Sequence, residues 1–132
     1  MAALIGQTLG PYQIIELISH GAMATVYKAY HSELARYIAI KILATDYAQQ
    51  PDIVKSFICE AHLIAQLDHP HILPFYDFGR QGNICYLVMK FMPGCLSDRL
   101  GQPLPLAEAL RIAEQIADAL NYAAPQVLIA FR

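Results

Sequence analysis

No apolar run in this sequence approaches the ~18 residues that a membrane-spanning helix needs, so no transmembrane segment is expected. The first residues, Met1-Ala2-Ala3-Leu4-Ile5-Gly6, lack the basic start and long apolar middle of a signal peptide, and the expected location is cytoplasmic. Basic blocks are missing too. Nine Lys and Arg against eleven Asp and Glu leave a formal net charge of −2, which argues against a nucleic-acid groove. Cysteine is scarce: Cys59, Cys85 and Cys95 are odd in number and lie in or beside apolar runs, which suits reduced thiols better than a disulfide framework. Neither an internal repeat nor a low-complexity tract is visible, and no Ser/His/Asp or Cys/His triad suggests itself.

Apolar surface is what the chain has in quantity. Its 132 residues suit one domain, at ~100–200 residues per domain, and 56% of them are hydrophobic, with a mean hydropathy of +0.35. The densest stretch is Tyr37-Ile38-Ala39-Ile40-Lys41-Ile42-Leu43, where alternation puts Ala39 and Lys41 on one face of a strand and Ile38, Ile40 and Ile42 on the other. An ammonium emerging from such a surface needs an anion, because an unpaired buried charge costs on the order of several kcal/mol. Two partners offer themselves: Glu60, 19 residues on in a helical segment, and a phosphate held by the loop upstream.

The rest of the chain reads as elements around that strand. Tyr12–Leu17 and Thr25–Tyr30 form a hairpin across Ser19–Ala22, and His31–Arg36 is the polar connection into the lysine strand. Pro51-Asp52 opens a helix whose apolar residues, from Ile53 to Leu67, lie nearly all round it; Asp68-His69-Pro70-His71 ends it. Ile72–Phe78 and Ile84–Met89 are strands joined by Gly79-Arg80-Gln81-Gly82-Asn83, and after a connector at Phe91-Met92-Pro93-Gly94 a long amphipathic helix covers Leu106–Tyr122. The expected fold is α+β: a five-stranded antiparallel sheet with one packed helix, followed by a long C-terminal helix.

Ile38-Ala39-Ile40-Lys41 resembles the Val-Ala-Ile-Lys strand of protein kinases, and Ile18-Ser19-His20-Gly21-Ala22-Met23-Ala24-Thr25-Val26-Tyr27-Lys28-Ala29 resembles their glycine-rich loop. Together they are similar to the bacterial Ser/Thr kinases of eukaryotic type, from about Leu9 to Tyr122. The resemblance implies an N-terminal extension at 1–8, a kinase N-lobe at 9–92, a connector and first C-lobe helices at 93–122, and a tail at 123–132 unlike the family. It also implies ATP as ligand. Ser19, Gly21 and Ala24 would stand where the family has three glycines that let main-chain N–H groups approach phosphate, with only the middle one kept here. Val26 and Ala39 would roof the adenine, Met89 would close its back, and Lys90 and Met92 would belong to the connector whose main chain bonds the base edge. Lys41 would hold the α- and β-phosphates with Glu60 orienting it; Ile64 and Phe75 match positions of a hydrophobic spine, equally readable as core.

Cys59-x-x-His62 followed by His69-x-His71 has zinc-like spacing, but His69-Pro70-His71 matches the His-Pro-Asn turn of kinases, so no metal site is expected; a metal-binding regulatory domain is the weakest reading. Catalysis in the family needs the His-Arg-Asp loop, its downstream asparagine and the Asp-Phe-Gly aspartate that binds Mg²⁺. This chain is read as lacking them, so no catalytic residue is assigned; a frameshift or truncation just after the helix would explain why the resemblance stops at Tyr122. The implied function is a partial Ser/Thr kinase domain not competent alone, the alternative a pseudokinase-like interaction module. The stripe with Leu110, Ile116 and Leu120 is expected to take a protein partner or a second copy.

Overall fold

The structure, a computed structural model, describes residues 4–44 and 48–130, with side chains as far as Gln126. The lysine run is strand β4, Arg36–Leu43, flanked by neighbours on both sides. Its Ile38, Ile40 and Ile42 enter one apolar cluster and Leu43 a second one on the opposite face, as alternation requires. Around it lie β1 (Thr8–Leu9), β2 (Tyr12–His20), β3 (Ala24–His31), β5 (Phe75–Gln81) and β6 (Ile84–Lys90). All pairings are antiparallel, in the order β1-β2-β3-β4-β6-β5.

The sheet thus has six strands rather than five. Gly10, at φ +54°, turns the chain so that Leu9 pairs with Tyr12 and Thr8 with Gln13, and a two-residue strand has no periodicity for a sequence to show. Register shifts between Ile14 and Glu16, and again between Leu17 and Ser19, mark two bulges in β2, which strengthen its twist. A further shift at Tyr76 in β5 puts Phe75 and Phe78, three residues apart, into the same cluster.

The other face of β5 closes the curl of the sheet. The Tyr12 hydroxyl donates to Asp77 Oδ2 at 3.3 Å; Gln81 Oε1 accepts from the Gly10 N–H at 2.9 Å, and Gln81 Nε2 donates to the Thr8 carbonyl at 3.3 Å. Between these, the Tyr86 ring lies over Gly79 so closely that a Cβ there would sit 2.1 Å from it, which is why this position has none. Burial first, and then the Asp77 carboxylate, push the Tyr12 hydroxyl above its ordinary pKa.

Helix α1, Pro51–Ala65, starts with proline in its first turn, where the missing N–H is no loss. It buries one stripe, Val54, Phe57 and Ala61, against the second cluster; Cys59 is exposed, so the helix is not apolar-packed all round as expected. Phe75 packs against that cluster, while Ile64 is only half-buried. A short 3₁₀ turn, Leu96–Arg99, leads to α2, Leu106–Ala130, which continues past the expected end at Tyr122 and contains Pro125. No described helix is long and apolar enough to cross a membrane.

Candidate functional site

The hairpin of β2 and β3, the middle of the sheet and the connector after β6 enclose an open cleft of about 690 Å³. Ser19, Val26, Ala39, Met89, Lys90 and Met92 all line it. Val26 pairs with Lys41 and Ala39 with Met89, so strand register alone brings the two expected roof residues and the expected back residue together. Gly21 sits at the hairpin tip, where its N–H donates to the Ala24 carbonyl at 2.9 Å; a Cβ there would stand 3.2 Å from that same oxygen, so the tight turn favours glycine. Beside it, a His20 ring nitrogen lies 3.0 Å from the buried Thr25 hydroxyl.

Lys41 Nζ lies 3.4 Å from Glu60 Oε1. Their side chains are 31% and 48% exposed, so Lys41 is less buried than its apolar setting suggests, and the pair contributes at most ~1 kcal/mol to stability. Its value is positional. Lys41, Glu60 and Ala24 line a smaller cavity of about 150 Å³ under the hairpin tip.

In the connector, the Lys90 N–H donates to the Pro74 carbonyl at 3.0 Å, which anchors the end of β6. Two residues on, among the described residues, the Met92 main chain has no hydrogen-bond partner, leaving one donor and one acceptor for a ligand edge. Asp98 Oδ2 accepts the Cys95 N–H at 2.9 Å and with Glu16 makes the rim of the cleft acidic. Arg99 pairs with Glu108, tying the 3₁₀ turn to α2; the hydrogen bond from Arg99 holds the Glu108 carboxyl below its ordinary pKa.

Helix α2 is held behind the connector by the loop after α1. The His71 N–H donates to His69 Nδ1 at 3.0 Å, so a neutral His69 carries its proton on Nε2, which lies 3.3 Å from Asp118 Oδ2. The Asp68 N–H donates to the Tyr122 hydroxyl at 2.9 Å. His69 is thus occupied on both nitrogens, and among the described residues no three His, Cys, Asp or Glu converge as a metal site.

The cleft also takes in residues that sequence reasoning missed. Leu17 and Ile18 reach it because of the β2 bulges, Leu73 from the stretch before β5, and Asp98 from the 3₁₀ turn. One omission was of another kind. Contrary to expectation, the tripeptide Asp-Phe-Gly does occur, as Asp77-Phe78-Gly79. It lies within β5, where Asp77 accepts from Tyr12, Phe78 packs toward α1 and Gly79 lies under Tyr86, so all three residues have structural work in the sheet.

Comparison with known proteins bears on this arrangement. The family described as protein kinase domain matches residues 12–129, past Tyr122. Serine/threonine-protein kinase PrkC of Bacillus subtilis (strain 168) is 42% identical over 124 residues, covering 91% of this chain and 19% of its own length. Serine/threonine-protein kinase PknA of Mycobacterium tuberculosis (strain ATCC 25618 / H37Rv) is 34% identical over 133 residues, covering 93% of this chain and 31% of its own. The crystal structure of the M. tuberculosis PknI kinase domain superposes with a TM-score of 0.72 at 30% identity, over 89% of this chain and 49% of that one. The chain therefore spans about a fifth to a third of these two curated relatives and about half of the solved domain.

Proposed function

The chain belongs to the protein kinase domain family, among the bacterial Ser/Thr kinases, and we propose that it supplies the ATP-binding half of such a domain without being able to catalyse phosphoryl transfer alone. What supports the reading is convergence: Val26 and Ala39 line the cleft with Met92, whose main chain has no partner among the described residues, and Lys41, the register partner of Val26, lines a second cavity with Glu60. In this reading Val26 and Ala39 cover the adenine, Met89 closes the back, and the main chain around Lys90 and Met92 meets the base edge. Lys41, steadied by Glu60, receives the α- and β-phosphates, under a hairpin kept low by Ser19, Gly21 and Ala24.

The family reaction moves the γ-phosphate of ATP to a protein Ser or Thr hydroxyl and uses Mg²⁺. Among the described residues no three His, Cys, Asp or Glu come together in a way that could hold Mg²⁺, and Asp77 is engaged within the sheet. No His-Arg-Asp sequence occurs in the chain. Since positioning and charge neutralisation supply most of the catalysis of this transfer, their absence removes it. Purified chain with Mg²⁺ and radiolabelled ATP should label neither itself nor a generic Ser/Thr substrate, and label above a Lys41→Ala control would refute this. ATP itself should bind weakly by calorimetry, with a dissociation constant in the ~mM range; a low-micromolar value would contradict the reading.

A second reading, an interaction module, is favoured by one observation: Leu110, Ile116 and Leu120 are exposed along one stripe of α2. The occupant proposed is a second copy of the chain, since one apolar helical stripe can pack against its own like. Light scattering at tens of micromolar should show association that Ile116→Glu with Leu120→Glu abolishes; a monomer unaffected by the pair would rule it out.

A further inference from the structure

Lys28 stands two residues beyond the roof residue Val26 on β3, on the same face, and its register partner on β4 is the other roof residue, Ala39. It makes no ion pair among the described residues. Instead its ammonium lies 4.5 Å from the ring centroid of Tyr37 and 4.7 Å from that of Phe91. Both are within the ~6 Å at which a cation is attracted to an aromatic face. Tyr37 belongs to β4; Phe91 is the connector residue between Lys90, whose N–H is bonded to Pro74, and Met92, whose main chain has no partner among the described residues. One cation therefore grips the connector at the point where strand hydrogen bonding stops.

We infer that Lys28 is a positioning residue for base selection: by holding the Phe91 ring it fixes where the Met92 donor and acceptor stand. The inference rests on the nucleotide reading of the cleft. Adenine offers an amino donor where guanine offers a carbonyl acceptor, so a donor and acceptor at fixed places accept one base and leave the other with mismatched groups. A connector free to shift re-pairs with either. Lys28 touches no ligand in this scheme and acts only through Phe91. An arginine, which also stacks on aromatic faces, should replace it; a methionine of similar length should not.

The test is the ratio of ATP to GTP affinity, by NMR titration of the 132-residue chain, in the wild type, Lys28→Met, Lys28→Arg and Tyr37→Leu, with a thermal melt of each. The wild type should favour ATP. Lys28→Met should reduce that preference by about threefold or more, Lys28→Arg should keep it, and the melting temperatures should stay close together. A purely structural role would lower the melting temperature and leave the ratio alone. If Lys28→Met does not fold, Tyr37→Leu releases the same cation from its other side and should lower the ratio too. An unchanged ratio in the folded variants overturns the inference while leaving the nucleotide reading intact, as does a wild type that binds both nucleotides equally. A wild type that binds neither overturns the nucleotide reading, and this inference with it.

Discussion

The sheet and helix α2 are both rich in apolar residues and treat them oppositely. Tyr27, Ile38 and Ile40 are 0% exposed, whereas Leu106, Leu110, Ile116 and Leu120 are between 49% and 76% exposed. The difference lies in what each element has for neighbours. Every long strand has cross-strand partners, and the sheet curls so that one face closes on itself and the other meets α1. Helix α2 is joined to the rest by polar ties through Asp118, Tyr122 and Glu108 and by the Tyr122 ring against His69, while Leu106, Leu110 and Leu120 of its apolar stripe stay exposed. The sheet is thus held by a buried apolar core, while the helix is seated by a few contacts at its near face.

The sharpest way to break this contrast is a matched pair of truncations. Ile40→Ala should destabilise the chain by about 2–5 kcal/mol in urea unfolding, through lost transfer energy and the cavity left behind. Leu110→Ala should stay within about 0.5 kcal/mol, as expected for a side chain already in water. Equal costs would show that the helix stripe is covered. Asp77→Ala is a smaller test, and one that separates spelling from placement. Leaving the buried Tyr12 hydroxyl without its acceptor should cost about 1 kcal/mol, with ATP affinity unchanged; a large loss of nucleotide binding would give the tripeptide a role in the site.

The smallest effect belongs to the junction of connector and helix. Glu108 has its pKa lowered from 4.5 by the hydrogen bond from Arg99. Its folded value lies below its unfolded one, so the contribution is present above the unfolded pKa and is lost as pH falls through the folded pKa. Amide protection at the start of α2, measured against the intrinsic exchange rate at each pH, should therefore fall on acidification below about pH 4.5, and Glu108→Gln should remove that fall without moving the unfolding midpoint of the sheet.

The sequence made the centre legible and the margins less so, for physical reasons. Period-two alternation in Tyr37–Leu43 is a direct image of a two-faced strand, and the 19-residue step from Lys41 to Glu60 matched a strand, a loop and a place midway along a helix. Bulges leave no such image. A residue inserted at Ile15 or Ile18 changes which side chains face the cleft without changing the composition, so Leu17 was not anticipated there. Asp98 was overlooked because its place depends on a four-residue turn with no period at all. Asp77-Phe78-Gly79 makes the converse point, since three letters can match a motif while strand register assigns them to the sheet.

The side-chain closure of the sheet has a consequence for how chains can stick together. An open antiparallel sheet offers two free borders, each a row of donors and acceptors on which a foreign strand can template. Here Thr8–Leu9 covers only Tyr12 and Gln13 of one border, with the Thr8 carbonyl and the neighbouring Gly10 N–H taken by Gln81; the rest of that border is the twice-bulged end of β2, and the other border, β5, carries that same glutamine and a bulge. Strand addition finds only short templates that the bulges twist away from the flat geometry a foreign strand needs. Whatever assemblies the chain forms should therefore be helical in character and reversible, failing to bind amyloid dyes even when light scattering shows them to be large.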